Sequence, residues 1–384
     1  MHITSNNHLS SELYIGLMSG TSLDGIDGVL CSINELGQVE TLVHVSRQFS
    51  DELKQLFLKL QSTSHDELHQ EALASNQIAI EYANVIQTIL QLASVKPEQI
   101  VAIGAHGQTI RHQPVLSNQV GYSLQSLNGS LLAELSQIDV INDFRSRDIA
   151  AGGQGAPLVP AFHYSQFGND DKPKAILNLG GIANLTLLSP KQPILGFDTG
   201  PANILLDSWI HFHKNLPFDD KGNWAQSGNE HSELLSHFLK EPYFTRPIPK
   251  STGRDLFNVD WLLNKVSICK YPPIPEDTQA TLLTLTAKTI AQDLKKYLPT
   301  CSELIICGGG SRNTYLLQKI EEQCKFLNLD LNVVTTDEYG LDPQTIEAMA
   351  FAWLAWSFKN KKSSNIPDVT GAKGPRILGS LQYK

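Results

Sequence analysis

Residues 14–27 read Tyr-Ile-Gly-Leu-Met-Ser-Gly-Thr-Ser-Leu-Asp-Gly-Ile-Asp. An apolar run leads into a small, hydroxyl-rich turn with two carboxylates, and a second apolar run, 28–33, follows. At the tip, Gly20, Thr21, Ser22 and Gly25 let backbone N–H groups and hydroxyls approach a phosphate. Leu23 and Ile26 complete this candidate nucleotide-binding stretch. Asp24 and Asp27 would oppose such a ligand on their own. At an effective dielectric of about 20, a carboxylate ~4 Å from one phosphate charge is repelled by roughly 4 kcal/mol. Magnesium between them reverses the sign, with Asp24 and Asp27 as ligands, directly or through water. A tight hairpin with Asx-type turns accounts for the same residues.

Further polar clusters fall at the ends of apolar runs. Small residues surround His106 and Gln108 in Gly104-Ala105-His106-Gly107-Gln108-Thr109, so both side chains could reach a ligand; a loop His bonded to a backbone carbonyl is the alternative. Arg145 and Arg147, in Asp143-Phe144-Arg145-Ser146-Arg147-Asp148, offer planar forks for carboxylate or phosphate. A surface Arg–Asp network is the competing account. Asp198, in Gly196-Phe197-Asp198-Thr199-Gly200-Pro201-Ala202-Asn203, ends an apolar run and is the best candidate for a general base. Capping the next helix would explain it too, but Thr199 or Asn203 could cap equally well.

Ser251-Thr252-Gly253-Arg254-Asp255 offers phosphate contacts or a structural turn. Gly180 and Gly181 form a glycine-rich turn, and Gly308-Gly309-Gly310 a strand–glycine–helix element that admits a flat ring or a phosphate. Neither GxxxxGK[ST] nor GxGxxG is present there. Glu347, beside an apolar helix face, can turn inward to a sugar hydroxyl or sit solvated in the first turn. His65-Asp66-Glu67-Leu68-His69 imitates HExxH but has Asp where Glu is needed, and a solvated helix face explains it better.

The elements that must position these groups follow from periodicity. Apolar runs 13–18, 28–33 and 41–46 predict a three-strand meander, followed by helices 51–60 and 66–93 and a strand 100–105. Asn128 is placed to cap a helix 129–136, before a strand 138–142. The second half repeats the theme with strands 175–179, 185–188 and 194–197 and a helix near 202–213. An irregular stretch and a helix 278–297 come next. A strand 303–307, a helix 313–324, a strand 331–335 and a helix 344–358, with Asp342 as cap, complete the pattern. Two such halves would form a cleft at their junction, where small ligands bind. The boundary is expected within 142–174, where Gly152-Gly153-Gln154-Gly155 supplies flexible backbone.

The 384 residues suffice for two domains, and 41% hydrophobic with 18% charged residues fits an ordinary globular protein. No apolar run approaches the ~20 residues of a membrane span. The polar first eleven residues do not read as a secretory signal. Five cysteines without CxxC spacing favour reduced thiols and a cytoplasmic location. A net charge of −9 without a basic run argues against nucleic acid as partner.

Residues 16–25, 107–112, 143–157 and 196–203, with 251–254, 308–310 and 371–378, closely resemble the anhydro-N-acetylmuramic acid kinases. The long runs "GLMSGTSLDG" and "DIAAGGQGAPLVPAFH" are specific to that family, and the resemblance spans nearly the whole chain. It implies an α/β protein of two ribonuclease-H-like domains of the sugar kinase/Hsp70/actin type with an inter-domain cleft. The domains would be 12–142 plus 365–384, and 143–364. It further implies a cytoplasmic enzyme of cell-wall recycling that uses ATP and magnesium. Such an enzyme phosphorylates 1,6-anhydro-N-acetylmuramic acid at O6 while water opens the anhydro bridge, giving N-acetylmuramate 6-phosphate. By this resemblance Asp198 activates the water at C1, the 20–27 loop holds ATP phosphates, and Arg145, Arg147 and Glu347 contact the sugar. A homodimer is common in the family. The competing expectations are another sugar or acetate-type kinase on the same fold, and an ATP-driven switch of the chaperone or actin kind.

Overall fold

The computed structural model describes residues 10–20, 23, 25–117, 119–168, 171–190 and 192–384. The chain divides into two compact units, one running up to Gln166 and resuming at Thr345–Lys384, the other Phe167–Gln344.

In the first unit, β1 (Ser11–Met18), β2 (Gly25–Asn34) and β3 (Val39–Gln48) form an antiparallel meander. β4 (Ile100–Ala105) pairs parallel with β1. Next come the strands β5 (Gln108–Leu116) and β6 (Gln119–Ser126), a separate hairpin that apolar periodicity missed because its side chains are largely polar and exposed. β7 (Val140–Asn142) pairs with β4, and the terminal strand Ser380–Gln382 closes the sheet edge against β7.

Tyr14–Leu17 of β1 are buried on both faces, which a continuous apolar run permits once each face is covered. Ile15 and Leu17 pack into the cluster with Ile78, Tyr82, Val85 and Ile89 of the helix Glu67–Ala93. Gly16 points the other way by strand alternation. A Cβ there would overlap the Ala348 carbonyl of the helix Ile346–Lys359, and one at Gly104 would overlap the Phe351 carbonyl. Two strand glycines thus allow that helix to lie with its backbone against the sheet. This close packing keeps 345–364 with the first unit, and 143–166 belongs there too, whereas the sequence reading assigned both to the second.

The glycine-rich stretch at 152–155 is tied down rather than loose. The Asp148 carboxylate is fully buried and accepts from Gly155 N, Asn365 Nδ2 and Thr370 Oγ1, each at 2.8 Å.

In the second unit β8 (Lys174–Leu179), β9 (Ile182–Leu188) and β10 (Leu195–Pro201) repeat the antiparallel meander. β11 (Glu303–Cys307) joins β8 in parallel and β12 (Asn332–Thr335) joins β11. The strand orders are β3-β2-β1-β4-β7 and β10-β9-β8-β11-β12, with antiparallel and parallel pairings in matching places. The expected doubled α/β meander of the ribonuclease-H-like type is therefore present. The helix Pro275–Tyr297, with Pro at its first position, buries Leu282, Leu285, Ile290 and Leu294 in the core of this unit. The stretch expected to be irregular holds three helices, Asn223–Ser227, Ser232–Leu239 and Val259–Ser267.

Candidate active site

In the first unit the turn after β1 is fastened to the loop after β4. The Ser19 hydroxyl donates to the Gly107 carbonyl at 2.9 Å, and Gln108 Nε2 donates to the Gly20 carbonyl at 3.1 Å. Leu23 takes a positive φ of 60°, and its N–H donates to the Gly20 carbonyl at 3.2 Å. Gly25 and Ile26 already belong to β2. Thr21, Ser22 and Asp24 lie outside the described residues.

His106 is buried, with Nδ1 3.2 Å from the Ser19 carbonyl and Nε2 2.8 Å from Arg145 Nη2. Burial and then the Arg145 charge hold its pKa down to about 3, so the ring is neutral at physiological pH. The neutral ring donates from Nδ1 and accepts at Nε2. Arg145 also donates from Nη1 to the Gly155 carbonyl at 2.8 Å, and burial lowers its pKa to about 10, opposed by Glu347. It remains a cation. Its Nε is buried without a hydrogen-bonding partner among the described residues, as is Gln108 Oε1. Glu347 lies in the first turn of Ile346–Lys359; burial and the Asp27 charge raise its pKa, and Arg145 opposes them. Asp27 itself meets His44 Nε2 at 3.1 Å. Arg145, Glu347 and Asp27 thus form one charged cluster, with neutral His106 bonded to Arg145. Arg147, two positions on from Arg145, is exposed at the start of the short helix Ser146–Ala150, on a different side of it.

In the second unit Asp198 sits inside β10, not at its end, where the pairing with β9 is irregular between Asp198 and Gly200. It caps no helix. The helix Asn203–Lys214 has no side-chain cap, and Asn203 Nδ2 donates instead to Leu179 O at 3.1 Å. Three loop groups hold Asp198. Its N–H donates to Lys250 O at 3.0 Å, its carbonyl accepts from the Tyr243 hydroxyl at 2.8 Å, and its Oδ2 accepts from Thr252 N at 3.0 Å. Burial pushes its pKa up to about 6, against the Thr252 N–H and the Lys250 charge. A carboxylate with that pKa is mostly ionised at neutral pH and still basic enough to accept a proton. Thr252 Oγ1 beside it is buried with no hydrogen-bonding partner among the described residues.

Two glycine turns meet in the same unit. The Gly180 carbonyl accepts from Asn203 N at 3.1 Å, and that of Gly181 from Ala202 N at 2.9 Å. A Cβ on Gly310 would lie 2.7 Å from Leu179 Cβ and 3.2 Å from Asn203 Nδ2, so both turns converge on Leu179 and Asn203. Gly308 adopts φ +82° against the Asn178 side chain, and nothing lies within 4 Å of a Cβ on Gly309, leaving an open flat surface. The helix Thr314–Phe326 is capped by its own Asn313, whose side chain accepts from Leu316 N. The flat glycine backbone, more than that helix terminus, is therefore what a ring or phosphate would meet.

Sequence reasoning missed Lys250, Tyr243 and Asp293 around Asp198. The one signal within reach was Asp293, a carboxylate between Ile290 and Leu294 on the buried side of a helix. Among the described residues no group of three or more His, Cys, Asp or Glu could hold a metal, and no helix is long and apolar enough to cross a membrane.

The family model described as anhydro-N-acetylmuramic acid kinase matches residues 12–384. Proteins of that name are similar along almost their entire length. The one from Cupriavidus metallidurans is 48% identical over 376 residues, covering 97% of this chain and 98% of the relative. The one from Chromobacterium violaceum is 46% identical, with 97% and 99% covered. That from Bordetella avium is 49% identical, with 96% and 95% covered. With a family model matched from residue 12 to residue 384 and relatives 46–49% identical over nearly their full length, this chain belongs to the anhydro-N-acetylmuramic acid kinase family.

Proposed function

We propose that Asp198 is the general base of the reaction this chain carries out. As a family member the chain is an ATP-dependent kinase. It phosphorylates 1,6-anhydro-N-acetylmuramic acid at O6 with hydrolytic opening of the anhydro ring, in peptidoglycan recycling. In that reaction water oxygen bonds to C1 and the C1–O6 bond breaks. O6 takes the γ-phosphoryl group and ADP leaves. Asp198 accepts the proton that the water loses.

The observation that carries the assignment is the grip on Asp198. Its carboxylate is fixed by the Thr252 N–H and partly desolvated, with a pKa near 6. The unpartnered Thr252 hydroxyl is assigned to the same substrate or its water. Arg145 and Glu347 are assigned to the sugar, with exposed Arg147 as a second arginine. His106 and Gln108, already engaged by their own loops, are proposed to contact the sugar through Gln108 Oε1 and through the placing of Arg145. The turn Gly20–Asp27 and the glycines 180, 181 and 308–310 are proposed to bind the nucleotide.

Magnesium is part of this proposal. A nucleotide-bound magnesium ion needs only one or two protein carboxylates, which suits Asp27 at the start of β2 with Asp24 close by in sequence. Bound there, the ion would neutralise phosphate charge. A cytoplasmic location and a homodimer are further parts of the proposal; light scattering of the purified chain checks the second.

The test is Asp198→Asn. Turnover should fall at least about 10³-fold, in the range for loss of a general base. Calorimetry with a non-hydrolysable ATP analogue should give nearly unchanged binding. Loss of both together would make Asp198 a structural residue.

A further inference from the structure

Lys250 and Asp293 form a buried ion pair, Nζ to Oδ2 3.1 Å, with side chains only 2% and 10% exposed. Buried pairs contribute little net stability, because desolvating two charges offsets their attraction. The nearest feature of chemical interest is Asp198, and the loop that carries Lys250 is the one that holds it.

We propose that Lys250 is a positioning residue for Asp198: its backbone carbonyl anchors the Asp198 N–H, and its ammonium, pinned by Asp293, keeps a fixed positive charge beside the carboxylate. This rests on the assignment of Asp198 as the base.

Three residues of one connection grip Asp198 at its N–H, its carbonyl and its side chain, namely Lys250, Tyr243 and Thr252. The Lys250 ammonium also packs 5.2 Å from the Tyr243 ring centroid, so the cation and the Tyr243 anchor form one body. A lysine stem is flexible and an unpaired ammonium turns to water. Asp293, rigid on the helix Pro275–Tyr297, prevents that. The remaining charged groups here are Arg246, over the Tyr243 ring, and Lys296, beside Asp293. The Lys250 charge acts against the burial that raises Asp198. Lys250 and Asp293 line a pocket with Thr199, Phe244, Thr289 and Gln292.

The experiment compares kcat/KM between pH 5 and 9 for the wild type, Lys250→Arg, Lys250→Met and the double variant Lys250→Met/Asp293→Asn. Loss of the neighbouring cation should move the acidic limb upward by about one pH unit in Lys250→Met, the order expected for one close charge. Lys250→Arg, which keeps the cation, should leave the limb in place. The double variant removes the pair together and so avoids stranding Asp293, which covers the case that Lys250→Met does not fold. Its limb should rise as well. An unmoved limb in Lys250→Met, or in the double variant where the single one does not fold, with Asp198→Asn inactive, overturns the positioning role alone. Turnover by Asp198→Asn overturns the base assignment, and this inference with it.

Discussion

Asp198 is an acid held where its charge is poorly solvated, and that cost is measurable. Its pKa near 6 against an ordinary 3.8 makes the ionised form unfavourable in the fold by up to about 3 kcal/mol. The folded state therefore binds the proton more tightly than the unfolded chain. The stabilisation from protonation is complete below about 3.8 and is lost as pH rises through about 6. Asn carries no charge and its Oδ1 can still accept from Thr252. Asp198→Asn should thus be more stable than the wild type near pH 7.5, by up to that amount, and the gap should shrink as pH falls through 6. Urea unfolding at pH 7.5 and pH 5 checks this; a less stable variant at pH 7.5 would mean that the carboxylate serves the fold. In the wild type, kcat/KM should decline tenfold per pH unit below an apparent pKa of about 6. His106 adds no step in that range, because its own pKa is held near 3.

At the scale of elements, the first unit depends on two glycines facing one helix. Gly16 and Gly104 leave no room for a methyl group, because backbone of Ile346–Lys359 occupies the space. Gly16→Ala forces strand and helix apart. Overpacking in a core costs about 1–3 kcal/mol, and backbone that cannot rotate away puts this site at the upper end. Urea titration should show that loss, and the KM for the sugar should rise as well, since Glu347 rides on the same helix. A Gly16→Ala variant as stable as the wild type would contradict the packing. The predicted start of that helix at 344, capped by Asp342, falls two residues early. Asp342 Oδ1 instead accepts from Gln344 N in a turn, and regular helix begins at Ile346.

At the scale of the whole molecule, the reaction joins phosphoryl transfer to hydrolysis, which leaves a chemical trace. Reaction in heavy-oxygen water should place the label at C1 of the product and none in the bridge between O6 and phosphorus. The unbridged sugar N-acetylmuramate has no C1–O6 bond to open and should be a poor substrate beside the anhydro form. An unlabelled C1 would remove the hydrolytic half and favour a plain sugar kinase. The doubled meander was legible from residues 13–46 and 175–197, because most of its strands are buried on both faces and so read as continuous apolar runs. Asp198 stood out as a carboxylate ending an apolar run before Gly200-Pro201, and the structure removes the helix cap as its local use, since the helix Asn203–Lys214 has no side-chain cap. The 107–126 hairpin was not, since polar strands carry no periodicity, and the separation of Arg145 from Arg147 depends on which side of a short helix meets the β4 loop. Sequence alone therefore determined the order of elements and the residue types able to do the chemistry, both properties of short stretches. Only tertiary structure decided that Lys250, Tyr243 and Asp293 gather around Asp198, and that Arg145 shares His106 with the first turn. Those neighbours lie some 40 to 95 positions apart in the chain, and nothing but the packing of sheet on helix brings them within reach of each other's charge.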